Sequence, residues 1–333
     1  MLDLAFVWAM LIAFAVFAYV VLDGFDLGMG LIFPLLRTRE ERDLAMTSVA
    51  PVWDGNETWL VLGGGGLLAV FPLAYAVLMT ALYPLVIAML VGLILRGVAF
   101  EFRWKSQAHR WLWDIAFAGG SLLAALAQGM MLGAIVKGIA VEGRAYAGGW
   151  LDWLTPFSLL TGFSLVIGYA LLGVGWLLIK TDGPLRESAF RLAMPLAVGL
   201  VAAVALVSAW TPFLDADFMR RWLSWPTIVY VAPVPLLTAL SAWWLWASIA
   251  ARREREPFLA TLALFLLSYI GLGISLYPYV VPHTITIWDA AAPDASLGFL
   301  LIGAVVLVPL ILAYTGYAYW VFRGKVRLGD GYH

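Results

Sequence analysis

Apolar residues dominate this chain in long runs, and polar residues are concentrated in the short connections between the runs. Many runs are about twenty residues long, which is the length an α-helix needs to cross the hydrocarbon core of a bilayer. Only helices and closed barrels satisfy their own backbone polar groups within lipid, so the pattern predicts an all-α polytopic membrane protein. Counting the runs predicts nine transmembrane helices, over residues 4–33, 48–71, 73–100, 113–137, 156–179, 188–210, 227–250, 257–279 and 297–322.

Lysine and arginine are divided unevenly between the predicted connections. Fifteen of the twenty basic residues fall on one side of the nine-span arrangement, four fall on the other, and Arg96 lies within the third span. Connections on the cytoplasmic side of membrane proteins carry the excess of basic residues. The arrangement therefore predicts an N-terminus outside and a C-terminus in the cytoplasm.

Composition narrows the class of protein further. Hydrophobic residues make up 63% of the chain and charged residues 12%, and the mean hydropathy is +0.93. We therefore expect one integral-membrane domain over residues 1–333 and no soluble domain. A net charge of -1 suggests no nucleic-acid partner. The absence of cysteine excludes disulfides, thiolate-ligated iron–sulfur clusters and covalent c-type haem.

None of the histidines lies where it could ligate a haem within the membrane. His109, His283 and His333 all lie outside the predicted spans. Membrane haems are usually held by histidines on helices, sometimes together with methionine. The ten methionines are interpreted as packing residues, so the sequence predicts neither a haem pocket nor a metal site in this chain.

Two carboxylates interrupt the second predicted span. Asp54 and Glu57 lie three positions apart, flanked by Trp53 and Asn56, and residues at that spacing share one face of a helix. Ionisable groups at membrane depth normally face a protein interior or a water path. We predict that Asp54 and Glu57 lie two to three turns into their helix and carry protons. The alternative is a structural anchor.

Further charged residues are predicted near the same cytoplasmic end. Asp23 and Asp26 close the first span, and Arg96, Glu101 and Arg103 close the third. Burial favours the protonated form of a carboxylate and a nearby arginine favours the ionised form, so such a cluster can exchange protons if water reaches it. The alternative is a set of interfacial charges and ion pairs that fix the register of the helices.

Four segments of the chain resemble subunit II of cytochrome bd-type quinol oxidases, and the resemblance extends from the first helix to Arg327. The form that carries Glu57 is most similar to the cyanide-insensitive branch. The matching segments are 23–28 (DGFDLG), 51–59 (PVWDGNETW), 96–103 (RGVAFEFR) and 277–290, which begins YPY and ends IWDA.

The resemblance implies a fold and a set of partners. The fold would contain two four-helix bundles and one additional, peripheral helix. Helices 1–4 over about 4–137 would form the first bundle and helices 5–8 over about 156–279 the second. The peripheral helix would lie at 297–322. Subunit I would carry haems b558, b595 and d and the quinol site, and the complex would couple quinol oxidation to the reduction of dioxygen to water. A small single-helix subunit, a structural quinone and membrane lipid are further expected partners. The location would be the bacterial cytoplasmic (inner) membrane.

The resemblance also implies a role for this subunit. In the family it holds no haem and no catalytic residue, supports assembly, and carries part of a proton path from the cytoplasm along the subunit interface. The family's path aspartate matches Asp54, and Asp23 and Asp26 match its helix 1 motif. Many members have Gln where this chain has Glu57. Two neighbouring acids can share a proton, so either Asp54 or Glu57 is a candidate carrier.

Two other classes of protein explain part of the pattern. A proton-coupled secondary transporter would account for buried carboxylates, but it usually shows internal repeats and broken helices near the midplane, and those are weak here. A membrane scaffold would account for the helices alone. A haem-bearing partner that co-purifies with the chain favours the oxidase over both.

Overall fold

The computed structural model describes residues 3–106 and 108–327, and this part of the chain is almost entirely helical. The prediction of an all-α fold is confirmed. The helices are α1 (Leu4–Ile32), α2 (Arg39–Val49), α3 (Trp53–Val70), α4 (Pro72–Lys105), α5 (Arg110–Lys137), α6 (Pro156–Lys180), α7 (Gly183–Trp210), α8 (Ala216–Leu223), α9 (Thr227–Val231), α10 (Pro233–Ala250), α11 (Glu256–Leu276), α12 (Ile287–Ala290) and α13 (Asp294–Val321). Two antiparallel hairpins lie in the connections, β1 (Val141–Glu142) with β2 (Ala145–Tyr146) and β3 (Tyr279–Val281) with β4 (Ile285–Thr286).

Within the described ranges, 8 helical segments are long and apolar enough to cross a membrane. Each overlaps one of the predicted spans, which confirms a multi-span protein. The predicted second span corresponds to α3, which is not among the 8. Its first two turns contain Asp54, Asn56 and Glu57, and its centre contains four glycines, so its hydropathy falls short of what the 8 spanning helices have.

The predicted start of the second span, at residue 48, is wrong. Residues up to Val49 belong to the separate helix α2, whose N-cap Thr38 accepts a hydrogen bond from the Glu41 amide. Proline has no N–H to continue a helical ladder, and the chain turns around Pro51 before α3 begins at Trp53. The first turn of α3 therefore contains Asp54, one turn nearer to the helix end than predicted.

Helix α3 nevertheless runs beside α13 over most of its length. Near its start, Asn56 accepts a hydrogen bond from Tyr319 at the end of α13 (2.9 Å). At its end, the Val70 carbonyl accepts one from the Ala292 amide just before α13 begins (2.8 Å). Eighteen residues extend about 27 Å at 1.5 Å per residue. The count of nine transmembrane helices stays a prediction.

Small residues bring the central helices into close contact. A Cβ added to Gly28 of α1 would lie 1.8 Å from the Tyr169 carbonyl oxygen of α6, and one added to Gly173 would meet the backbone of Gly28. A Cβ at Gly92 of α4 would lie 2.6 Å from the Gly120 carbonyl of α5. Helices within lipid associate by such close packing, since water does not drive them together.

Helix α13 is peripheral, because Leu297 is its one buried residue. Its first part lies near the start of α1, where Trp8 donates a hydrogen bond to the Leu297 carbonyl (3.0 Å). Its last part lies near the end of α6, where the Lys180 ammonium donates to the Gly324 carbonyl (3.1 Å). The division of the other helices into two four-helix bundles stays a prediction.

Candidate functional site

Arg96 of α4 is the centre of a buried ionic site. Its Nη1 donates to Asp23 Oδ1 of α1 at 2.5 Å, and its Nη2 donates to Glu57 Oε2 of α3 at 2.8 Å. The side chains of Arg96 and Asp23 are fully buried, whereas that of Glu57 is 29% exposed. One guanidinium thus connects three helices and reaches from the protein interior to its surface.

Asp26 lies beside this ion pair without a cation of its own. It is fully buried, and its Oδ2 accepts a hydrogen bond from Asn56 Nδ2 at 2.7 Å. No lysine or arginine of the described chain forms an ion pair with it. Asp26 therefore accepts a hydrogen bond from a neutral amide, whereas Asp23 forms an ion pair with a positively charged guanidinium.

The charges of the site do not balance. Asp23, Asp26 and Glu57 supply three carboxylates, and Arg96 supplies one guanidinium. Uncompensated charge in a protein interior at membrane depth is costly, so the group is expected to bind at least one proton. Asp23 Oδ2, Asp26 Oδ1 and Arg96 Nε are also buried and lack a hydrogen-bond partner among the described residues. A buried polar atom without a partner carries a desolvation cost, which adds to the cost of the unbalanced charge.

Trp53 forms one wall of the site. Its ring stacks on Phe100 of α4 with a centroid separation of 4.7 Å. The guanidinium carbon of Arg96 lies 5.9 Å from the centre of the Trp53 ring. A cation over an aromatic face is attracted electrostatically, so Trp53 helps to hold Arg96 in place.

Asp54 lies outside the buried group. It is exposed in the first turn of α3, and its carboxylate lies outside the hydrogen bonds and ion pairs of the site in the described part of the chain. It shares its exposed face with Thr58 and Val61, one and two turns further along. Asp54 and Glu57 therefore diverge, since Glu57 turns inward to Arg96 and Asp54 faces outward.

Arg103 belongs to a second, separate cluster. Its Nε and Nη1 donate to Asp114 (2.5 Å) and Asp43 (2.8 Å), and Arg110 also donates to Asp43 (2.6 Å). Arg103 follows Arg96 by seven positions, about 10 Å along a helix. This cluster connects α2, α4 and α5 and has the character of a structural ion-pair network.

Glu101 is a surface residue. Its carboxylate pairs with Lys105 at 3.5 Å, and its side chain is 55% exposed. Of the residues predicted from sequence, the structure therefore brings six together, leaves Asp54 at their edge, and places Arg103 and Glu101 elsewhere. The six are Asp23, Asp26, Trp53, Asn56, Glu57 and Arg96.

Sequence reasoning missed a line of tyrosines and amides around the carboxylates. Tyr169 of α6 donates to Gln128 Oε1, and Gln128 Nε2 donates to Tyr19, both at 2.8 Å. Tyr19 precedes Asp23 by one turn on α1. A lone glutamine in an apolar run was the available signal. Nothing in the sequence singled out Tyr319, which lies on the other side of the site, because tyrosines near helix ends are common in interfacial belts.

One group of possible metal-ligating side chains lies in the connections of the described chain, where no metal was predicted. His283 Nε2 lies 3.9 Å from Asp215 Oδ2, and its Nδ1 lies 3.7 Å from Asp217 Oδ2. These residues follow α7 and α11, at the end of the molecule away from Arg96. They have the geometry of an ion pair when the imidazole is protonated.

Fold and site together define a polytopic helical membrane protein with a buried ionisable group at one end. The chain belongs to the cytochrome bd terminal oxidase subunit II family, whose profile matches residues 4–322. This confirms the resemblance seen in the sequence motifs and favours the oxidase over the transporter.

Several characterised relatives match nearly the whole chain. The cytochrome bd-I ubiquinol oxidase subunit 2 of Escherichia coli (strain K12) is 29% identical over 366 residues, covering 98% of this chain and 96% of the relative. The cytochrome bd ubiquinol oxidase subunit 2 of Bacillus subtilis (strain 168) is 27% identical, covering 96% of each. A chain of the bd oxidase from Geobacillus thermodenitrificans has the same fold, with a TM-score of 0.78, 18% identity, and coverage of 96% of this chain and 99% of that one.

Proposed function

We propose that this chain is the haem-free second subunit of a cytochrome bd-type quinol:oxygen oxidoreductase. Its relatives are subunits of cytochrome bd ubiquinol oxidases, and a second subunit implies a first. Haems b558, b595 and d and the quinol site belong to subunit I in this proposal. The placement of all three histidines outside the predicted spans supports it, since membrane haems are usually held by histidine.

The chain's own contribution is a route for protons from the cytoplasm. Reduction of dioxygen to water consumes protons. If quinol releases its protons outside and the consumed protons come from inside, charge is separated across the membrane. The route begins at Asp54, which is exposed, continues to the partly exposed Glu57, and ends at the fully buried Asp23 and Asp26.

The observation that carries this proposal is the excess of carboxylates over guanidinium in the buried site. Arg96 balances one negative charge, and the remaining carboxylates must accept protons or remain at high energy. Asp26 is the most favourable place for a proton to bind, because its hydrogen-bond partner among the described side chains is the neutral amide of Asn56.

The orientation belongs to the same proposal. Helix α3 would be the ninth crossing, which places the two termini on opposite sides of the membrane. The excess of basic residues around Arg186 and Arg253 supports a cytoplasmic location for the Asp54 end. Reporter fusions at Arg253 and Arg221 should report inside and outside, and an external signal at Arg253 contradicts the orientation.

Replacing Asp26 tests the route. Asp26→Asn keeps the shape and can still accept from Asn56, but it cannot take up a proton. We expect the purified complex to keep its normal haem spectrum while oxygen consumption per haem falls about tenfold or more. Glu101→Gln is the matched control, since it removes a surface carboxylate on α4, and its turnover should be unchanged. Normal turnover per haem in Asp26→Asn removes Asp26 from the route.

A further inference from the structure

Tyr319 of α13 is bonded to the site through a single amide. Its hydroxyl donates to Asn56 Oδ1 at 2.9 Å. The Nδ2 of the same amide donates to Asp26 Oδ2 at 2.7 Å and to the Leu22 carbonyl at 3.3 Å. Every polar atom of the buried Asn56 side chain is thus engaged, and its neighbours come from α1 and α13.

The neighbours of the Asn56 side chain favour one orientation of its amide. An amide has one oxygen that accepts and one nitrogen that donates. The Leu22 carbonyl and an ionised Asp26 can only accept, so the nitrogen of Asn56 faces them and its oxygen accepts from the Tyr319 hydroxyl. If the amide turned over, its oxygen would face Asp26 and could accept only from a protonated carboxyl. The orientation of Asn56 therefore decides which protonation state of Asp26 is stabilised.

We propose that Tyr319 is a positioning residue of the proton route, because it holds the Asn56 amide with its N–H toward Asp26. This rests on the proposed function and extends it to the peripheral helix. Tyr319 touches no reacting group, and it acts through Asn56 alone. Its hydroxyl keeps the proton on Asp26 exchangeable by favouring the ionised carboxylate.

The other groups around Asp26 do not replace this interaction. Arg96 already donates to Asp23 and Glu57, whereas Asp26 accepts from Asn56. The ring of Tyr319 has a separate role, since it packs edge-on against Phe25 and Trp176. Removing only the hydroxyl therefore separates positioning from packing. The titratable and charged groups that face Asp26 are Asp23, Glu57, Arg96 and Tyr319.

The position of Tyr319 gives α13 a part in the route. Helix α13 has one buried residue and is held at its end by backbone contacts with Lys180. The Tyr319 hydroxyl is separated from Asn56 by 263 positions in the sequence. Docking of the last helix and the protonation of Asp26 are therefore linked through one hydrogen bond.

Tyr319→Phe in the assembled complex tests the proposal. The ring packing and haem content should be retained. The oxygen of Asn56 then loses its donor, so the orientation with the N–H toward Asp26 is less favoured and the proton on Asp26 is held more tightly. We expect the pH profile of oxygen consumption per haem to move to alkaline pH by about one unit, the effect of losing one hydrogen bond to a charged group. Tyr317→Phe is the matched control, because that hydroxyl is on an exposed side chain of the same helix, and it should leave the profile unchanged.

Infrared difference spectra give a readout that does not depend on turnover. The carbonyl band of a protonated carboxylic acid should be lost in Asp26→Asn and shifted in Tyr319→Phe. A wild-type profile and band in Tyr319→Phe, beside an inactive Asp26→Asn, overturns the positioning role and leaves the route intact. Normal turnover in Asp26→Asn rejects the route itself. Loss of haem content in Tyr319→Phe means that the hydroxyl is a structural anchor, which also overturns the proposal.

Discussion

Arg96 and Asp23 form an ion pair at 2.5 Å in which both side chains are fully buried. The two residues are 73 positions apart in the sequence, so the pair joins α1 to α4 across the protein interior. A buried pair contributes little net stability while it is intact, but removing one partner leaves an uncompensated charge. The pair is therefore a strict requirement for the fold at the site.

Arg96→Met should prevent normal assembly. The change leaves Asp23, Asp26 and Glu57 without a cation, at a cost of about 3–5 kcal/mol. The yield of intact haem-containing complex from membranes is the measurement. Lys105→Met is the control, because it breaks an exposed pair worth about 0–1 kcal/mol, and its yield should match wild type. A normal yield for Arg96→Met would show that the carboxylates are neutral when the complex assembles.

Asp54→Asn should lower turnover without impairing assembly of the complex. Asp54 is exposed and lies outside the ion pairs of the site, so the change should leave the buried contacts of the described residues intact. We expect normal haem content and loss of most oxygen consumption per haem. Glu57→Gln should be milder, because an amide oxygen still accepts from Arg96. If Asp54→Asn lowers haem content and turnover together, Asp54 is a structural anchor.

Gly28→Ala should destabilise the helix crossing. The new Cβ would lie 1.8 Å from the Tyr169 carbonyl oxygen, and backbone atoms cannot move aside cheaply. Overpacking of this kind costs about 1–3 kcal/mol or more. Gly119→Ala is the control, since nothing lies within 4 Å of its added Cβ and alanine favours a helix by about 1 kcal/mol. Thermal unfolding of the purified complex should therefore shift down for the first variant and not for the second.

Acid should release the segment after α13. Lys325 lies 2.6 Å from Asp182, and this hydrogen bond lowers the pKa of Asp182 below its usual value. A lowered pKa means that the contact stabilises the segment above the unfolded pKa and is lost as pH falls through the folded value, below about 4. Hydrogen exchange at the Val326 amide, which bonds to the Lys180 carbonyl, should accelerate there after correction for intrinsic rate.

Asp182→Asn should remove the acceleration of Val326 amide exchange at low pH. Exchange of this amide should already be faster than in the wild type at neutral pH. Asp289→Asn, which changes a helix cap at the other end of the molecule, should leave the exchange of Val326 unchanged. If exchange of the Val326 amide still accelerates at low pH in Asp182→Asn, the release is caused by another group. Glu254 is such a group, since it also lies near Lys325 (3.5 Å).

Features that are determined by about twenty consecutive residues were predictable from the sequence. The membrane class, the helical fold and the approximate position of eight spans follow from runs of apolar side chains, because hydropathy is a local sum. Asp23, Asp26 and Glu57 could be selected for the same reason, since a carboxylate in such a run is costly wherever its partner lies. The start of α3 was mispredicted because Pro51 interrupts the helix within an otherwise continuous pattern.

Only the tertiary structure decided how those side chains are paired. Arg96 and Arg103 lie seven positions apart on one helix, yet the first joins the buried carboxylates and the second joins Asp43 and Asp114. Asn56 is oriented by Tyr319 from the last helix of the chain. Hydropathy and spacing describe each helix by itself, whereas hydrogen bonds between helices depend on where the helices cross and how they are rotated. Those angles are set by close contacts such as Gly28 on Tyr169, which no local pattern of residues specifies.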